Sequence, residues 1–225
     1  AASAPASEGT SAVLAGATGG WARVENPGRF LAVLDVSGSM ADPVPGTGRT
    51  RLQFAQDAAI QRMKALPRGG EIGLWEFSTK LDGDTDYREL VPVGKVSDVL
   101  NGRQRIDVLV DSVNGLTPQA DTGLYDTLLA AFRSMRAGYQ PGEPNDIVLV
   151  TDGRNDDPGS IDLATLLATL SAEQDTANPV RILCIAYGTE ADLDSLGKIA
   201  TATGGAVYES PNPAAIGDAI VTAFA

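Results

Sequence analysis

Histidine is missing from all 225 residues. The commonest general base is therefore unavailable, and with it any Ser-His-Asp or Cys-His arrangement within this chain. Cysteine occurs once, at Cys184 inside the apolar run Ile182-Leu183-Cys184-Ile185-Ala186. No disulfide framework can form, and the thiol reads as a small core residue. No apolar run approaches the roughly 18 residues of a membrane helix, so the chain itself is not expected to span a membrane. Positive charge is also scarce: 17 Lys+Arg against 29 Asp+Glu give a net charge of −12, which repels phosphate backbones and anionic surfaces. The groups Arg62/Lys64/Arg68 and Arg133/Arg136 sit at helical spacing among apolar neighbours and read as solvated helix faces. Nucleic acid is not an expected partner. The chain opens at Ala1 without a Met or a signal-peptide pattern, which suggests a processed or excised piece.

What is present fits one α/β domain, since 43% hydrophobic residues in a chain of this length can bury a substantial core. Residues 1–20 are rich in Ala, Ser and Gly and read as a linker or tail; residues 21–225 read as the domain. Within that tail, Val13–Gly20 has the look of a dinucleotide-binding glycine turn. Such a turn must follow a strand and open a long helix, and Pro27 and Gly28 come too soon for that helix.

From Phe30 onward, short apolar runs alternate with helical periodicity, the pattern of a parallel sheet covered by helices on both faces. Strands are expected at Phe30–Asp35, Glu71–Ser78, Arg88–Val93, Asp146–Thr151, Val180–Tyr187 and Ala206–Tyr208. The third follows the polar loop Asp82–Tyr87 too closely for a helical crossover, so an antiparallel edge strand is expected there. Core-facing stripes mark the helices: Leu52/Ala55/Ala59/Met63/Leu66, Ile106/Leu109/Val110/Val113, Leu124/Leu128/Ala131/Met135, Leu163/Leu166/Leu167/Leu170, Leu193/Leu196/Ile199/Ala200 and Ile216/Ile220/Phe224. Thr50 with Gln53 forms a capping box for the first, and Asn212 caps the last.

Chemistry concentrates at three strand or helix ends. Asp35, Ser37 and Ser39 form an acid-x-hydroxyl-x-hydroxyl run closing the first strand. Asp152 closes the apolar run Ile147–Thr151, and Thr122 stands before the helix that begins near Leu124. Together they offer five oxygen ligands without His or Cys, a donor set that suits Mg²⁺, Mn²⁺ or Ca²⁺ better than Zn²⁺ or copper. Each residue also has an ordinary structural role open to it: Asp35 and Ser37 as loop caps, Thr122 as a helix N-cap, Asp152 as a turn residue. Asp82-Gly83-Asp84-Thr85-Asp86 alternates acids like a calcium loop, but Tyr87 replaces the turn glycine and Val93 the bidentate acid; a solvated hairpin loop fits better. Asn155, Asp156 and Asp157 could line a metal face or form an exposed turn before Pro158, and are not counted as ligands.

The segments Asp35-Val36-Ser37-Gly38-Ser39-Met40, Thr122-Gly123-Leu124-Tyr125-Asp126 and Thr151-Asp152-Gly153 together resemble the von Willebrand factor A (VWA) domain with its metal-ion-dependent adhesion site (MIDAS). The resemblance runs from about Trp21 to Ala225. It implies a Rossmann-like, doubly wound sheet of six strands in the order 3-2-1-4-5-6, with one antiparallel edge. It also implies that Ser37, Ser39 and Thr122 touch the metal directly, that Asp35 and Asp152 act through water, and that a carboxylate from a protein partner completes the coordination. Gly73–Ser78, Thr122–Thr127 and Thr151–Asp157 further resemble bacterial surface proteins in which a solute-binding domain precedes the VWA domain. That implies an extracellular or cell-surface, non-enzymatic adhesion module. An accessory subunit of an ATPase or transporter is the alternative within the family. A Mg²⁺-dependent hydrolase is a third reading, weakened because Ser37 stands where a second acid would be and no Gly-rich, Lys-containing phosphate loop exists.

Overall fold

The computed structural model describes residues 27–223; the tail 1–20, Trp21 and Phe224 lie outside the described residues. Six strands form one sheet: β1 (Arg29–Asp35), β2 (Glu71–Asp82), β3 (Thr85–Lys95), β4 (Asn145–Thr151), β5 (Val180–Tyr187) and β6 (Ala206–Ser210). Their order is β6-β5-β4-β1-β2-β3, with every neighbouring pair parallel except β2 and β3. This is the expected 3-2-1-4-5-6 arrangement with an antiparallel edge. The β2–β3 hairpin is longer than its apolar run, because Asp82 pairs with Thr85 across a tight turn in which Gly83 takes the left-handed conformation at φ 66°.

Helices cover both faces because the strands are apolar on both sides. On β1, Phe30 and Leu34 face the layer formed by α1 (Arg51–Ala65), α2 (Arg105–Asn114) and α6 (Ile216–Ala223). Leu31 and Val33 face the opposite layer of α3 (Leu124–Ala137), α4 (Leu163–Glu173) and α5 (Leu193–Thr203). The period-2 alternation of a strand thus feeds two separate cores. Cys184 lies fully buried in the second of these, and burial pushes its thiol up to about 12, so it stays a protonated core residue at neutral pH.

Local chemistry sets the helix ends. Thr50 Oγ1 accepts from the Gln53 amide while the Gln53 side chain accepts from the Thr50 amide, the expected capping box. Asn212 caps a 3₁₀ turn, Pro213–Ala215, that runs into α6. Leu193, expected on the core face, is 44% exposed, since it opens α5 and the buried residues of that helix begin at Ser195 and Leu196. At the other end of α5, Gly204 adopts φ 70°, and a Cβ on Gly205 would stand 1.9 Å from the Ile182 carbonyl oxygen.

That contact separates two glycines of the same segment. Gly205→Ala is expected to lower stability in urea unfolding by about 1–3 kcal/mol, because the added methyl must displace backbone of β5. Gly197→Ala, inside α5 with nothing within 4 Å of its Cβ position, is expected to raise it by about 0.5–1 kcal/mol through helix propensity. Equal effects at the two positions would contradict the close packing of Gly205 on β5.

Candidate metal centre

The strand order reverses between β1 and β4, and their carboxyl ends define the crevice where open α/β sheets bind ligands. β1 continues through α1 to β2 on one side, while β4 continues through α4 to β5 on the other. Asp35 ends β1 and Asp152 follows β4, and both are 0% exposed. Two buried carboxylates side by side are costly unless donors or cations satisfy them.

The donors are arranged as a relay. Asp35 Oδ1 accepts from the Ser37 amide at 2.8 Å, and its Oδ2 accepts from Thr151 Oγ1 at 2.6 Å. Ser39 Oγ donates to Asp152 Oδ1 at 2.7 Å. Its single proton being spent there, Ser39 Oγ accepts from Ser37 Oγ at 3.2 Å. The other oxygen of Asp152, Oδ2, accepts from Arg51 at 2.7 Å. Four of the five sequence-predicted residues are therefore linked by hydrogen bonds, Asp35 through the Ser37 amide and Ser37, Ser39 and Asp152 through their side-chain oxygens.

Thr122 reaches in from a separate loop. Its Oγ1 lies 3.3 Å from where a Cβ on Gly153 would stand, which places it against the residue after Asp152. Gly153 thus leaves a space that a side chain would fill. Thr122 does not cap α3: the first amides of that helix, Leu124 and Tyr125, both donate to Asn155 Oδ1. Among the described residues the Thr122 hydroxyl makes no hydrogen bond; the residue as a whole is 6% exposed, and its oxygen is not one of the enclosed polar atoms left without a partner. A hydroxyl that no protein group engages, set against the residue that follows Asp152, is free to ligate an oxygen-seeking cation. The donor set and this unengaged hydroxyl fit a divalent metal.

The loops are tied to one another rather than to solvent. Gly38 donates to the Ala120 carbonyl at 2.9 Å, Gln119 to that of Val36 at 2.6 Å, and Asp156 to that of Thr122 at 2.8 Å. Thr79 and Asp121 exchange a further pair of bonds. Ala120 itself is held at φ 32°, a conformation that a non-glycine residue keeps only when its neighbours impose it.

Residues beyond the five predicted ligands complete the picture. Thr151 and Arg51 contact the two aspartates directly, and Asn155 anchors α3. A second acidic group also forms: Asp86, Asp126 and Asp157 bring one carboxylate oxygen each within 4.8 Å of one another. Asp86 is 6% exposed and accepts from the Lys80 amide at 2.8 Å. Its carboxyl is raised above the usual range by burial, opposed by the Lys80 bond and reinforced by Asp157 and Asp126.

A family model described as the von Willebrand factor type A domain matches residues 31–221. Two uncharacterized proteins from strains of Mycobacterium tuberculosis are each 27% identical over 159 residues, covering 70% of this chain and 23% of theirs; the chain spans under a quarter of the length of these relatives. Among solved structures, a von Willebrand factor type A protein from Catenulispora acidiphila is 23% identical with a TM-score of 0.64, over 86% of this chain and 41% of that one. Proximal thread matrix protein 1 of the mussel byssus, in a structure whose MIDAS motif is occupied by zinc, is 15% identical with a TM-score of 0.64, over 88% and 47%. At these identities the likeness to solved structures is one of fold.

Burial, then the charge of Asp152, raises the Asp35 carboxyl to about 6, against the bonds from Ser37 and Thr151 that lower it. An acid raised in the folded state binds more protons folded than unfolded between its ordinary value of 3.8 and about 6. Its contribution to stability is therefore present at the acid end of this window and lost as pH rises through it. In chelator, wild-type protein is expected to lose about 1–3 kcal/mol relative to Asp35→Asn between the two ends of that window. Urea unfolding of both proteins across the window measures the difference, and parallel pH profiles would remove Asp35 as its source.

Proposed function

The chain belongs to the von Willebrand factor type A family, and on that premise we propose that it is a metal-dependent protein-binding module whose MIDAS captures an acidic side chain. Domains of this family commonly serve as metal-dependent interaction modules and are typically non-enzymatic. The observation that carries the finer reading is the convergence of Asp35, Ser37, Ser39 and Asp152 in one hydrogen-bonded chain, with the unpartnered Thr122 hydroxyl beside it. Ser37, Ser39 and Thr122 would ligate the cation directly. Asp35 and Asp152 would act through water and orient the hydroxyls.

When bound, a hard cation such as Mg²⁺ or Mn²⁺ held mostly by neutral oxygens keeps much of its charge and accepts a carboxylate from outside. The chain's own part is to hold the oxygens in place. Ser37 and Ser39 are aimed by the relay to Asp152, Asp35 is clamped by the Ser37 amide and Thr151, and the Thr122 loop is fixed by its bonds to the Asp35 and Asp152 loops. Bidentate clamping of a phosphoryl group has no support here, since the cationic side chain at the site, Arg51, is engaged with Asp152.

The same reading extends to the whole protein. Residues 21–225 would be the adhesion domain and 1–20 the junction to the rest of a longer bacterial surface protein, with an upstream solute-binding domain. The long relatives of which this chain covers 23% are compatible with such a layout, and among the described residues no helix is long and apolar enough to cross a membrane.

Calorimetric titration with Mg²⁺ and Mn²⁺ tests the proposal. Wild type is expected to bind one ion, with affinity about 10–100-fold lower in Asp35→Ala and in Asp152→Ala, the usual effect of removing a group that orients metal ligands. Identical uptake by all three proteins would sink it.

A further inference from the structure

Arg51 is the first residue of α1, where the helix dipole disfavours a cation. Its position is nevertheless well determined. The Arg51 amide donates to the Asp42 carbonyl at 3.0 Å, and its carbonyl accepts from the buried Tyr187 hydroxyl at 2.8 Å. From this anchor the guanidinium reaches Asp152 Oδ2 at 2.7 Å, with Asp42 at 3.6 Å and Glu190 at 3.5 Å. Only Asp152 of these three acids is buried; Asp42 and Glu190 have more than half of their side chains exposed, where water screens the attraction. Arg51 is thus bound chiefly to a residue of the metal site, from the side that Ser39 does not occupy.

Hydrogen bonding by itself does not call for a charged donor at Asp152. What an arginine adds is charge. We propose that Arg51 is a specificity-determining residue that sets the charge of the MIDAS, cancelling that of Asp152 so that a bound cation is held less tightly but presents more positive charge to an incoming carboxylate. The inference rests on the metal-site reading above. With Asp152 neutralised, Asp35 is the remaining buried carboxylate to offset a divalent ion, the exposed Asp42 and Glu190 being screened by water, and the excess positive charge is available to an acidic partner. Without Arg51, two carboxylates would offset it fully, favouring the metal and weakening the partner.

The two affinities therefore move in opposite directions, which a loss of structure cannot do. With the full 225-residue chain, Mn²⁺ titration followed by electron spin resonance of the free ion is expected to show about tenfold tighter binding in Arg51→Gln than in wild type, the scale of removing one nearby charge. Acetate, titrated against the Mn²⁺-loaded proteins and read by water-proton relaxation, is expected to bind several-fold more weakly to Arg51→Gln. Arg51→Lys keeps the charge and should stay within about threefold of wild type in both titrations, as a point charge replaces the guanidinium fork. Arg51→Met, also neutral, should behave like Arg51→Gln and serves if the latter does not fold. Unchanged or weaker Mn²⁺ binding in the neutral variants, or tightening in Arg51→Lys equal to theirs, overturns the proposal. Mn²⁺ uptake by none of the proteins overturns the metal-site reading beneath it instead.

Discussion

Two aspartates without solvent exposure, one ending β1 and the other just past the end of its parallel neighbour β4, govern the arrangement of the site around them. Asp35 and Asp152 lie at the place in the sheet where the connections diverge to opposite faces, the crevice where open α/β sheets bind ligands. Buried like charges repel and lack water, and the fold can keep them only by supplying donors and positive charge. Each feature of the site answers that demand: an amide and Thr151 for Asp35, Ser39 and Arg51 for Asp152. What remains unanswered is the raised Asp35 carboxyl and the idle hydroxyl of Thr122. A cation would address both.

The precision of this cluster depends on elements far from it in sequence. Asp35 is fixed by its strand, whose neighbours on both sides are buried apolar β2 and β4. The three loops then stabilise one another through backbone bonds, so that the Thr122 loop is held by the ends of β1, β2 and β4 together. Buried Tyr187 on β5 extends the support to the start of α1 and therefore to Arg51. A substitution that loosens any one of these loops reaches the oxygens through backbone, with no need to touch them. Packing of the two cores is in this sense part of the site's geometry.

Much of this was legible in the chain because apolar runs and helical stripes report burial directly. Val180–Tyr187 was bounded correctly by its apolar residues alone, and Thr50/Gln53 and Asn212 announced their caps. The hairpin strands were underestimated since their distal pairs, such as Asp82 with Thr85, are polar and gain ladder bonds without gaining burial. Asp35, Ser37, Ser39, Thr122 and Asp152 were visible as residue types at strand and helix ends. Arg51 and Thr151 were not, because their roles lie in contacts across 101 and 116 residues that no local pattern encodes. One signal did exist for Arg51: a cation in the first turn of a helix opposes the dipole, which calls for an anion nearby. Asp86, Asp126 and Asp157 come from three segments and meet only once the sheet and α3 are in place.

The overall charge of the chain adds a constraint to the proposed reading. At −12 the molecule repels acidic surfaces at a distance, and salt screens that repulsion only beyond about 8–10 Å. An acidic partner must therefore find a local reversal of sign, and the crevice between β1 and β4 is where one can be made. Neutral Ser and Thr ligands would leave a bound cation's charge largely intact, whereas a directly ligating acid in place of Ser37 would offset it. The surrounding negative field then works as a filter, since a carboxylate gains by contact with the cation but loses by any approach elsewhere. Specificity for a particular partner would have to come from the rim of that crevice, where the exposed acids Asp42 and Glu190 flank Arg51 and would favour a partner whose carboxylate is bordered by basic residues.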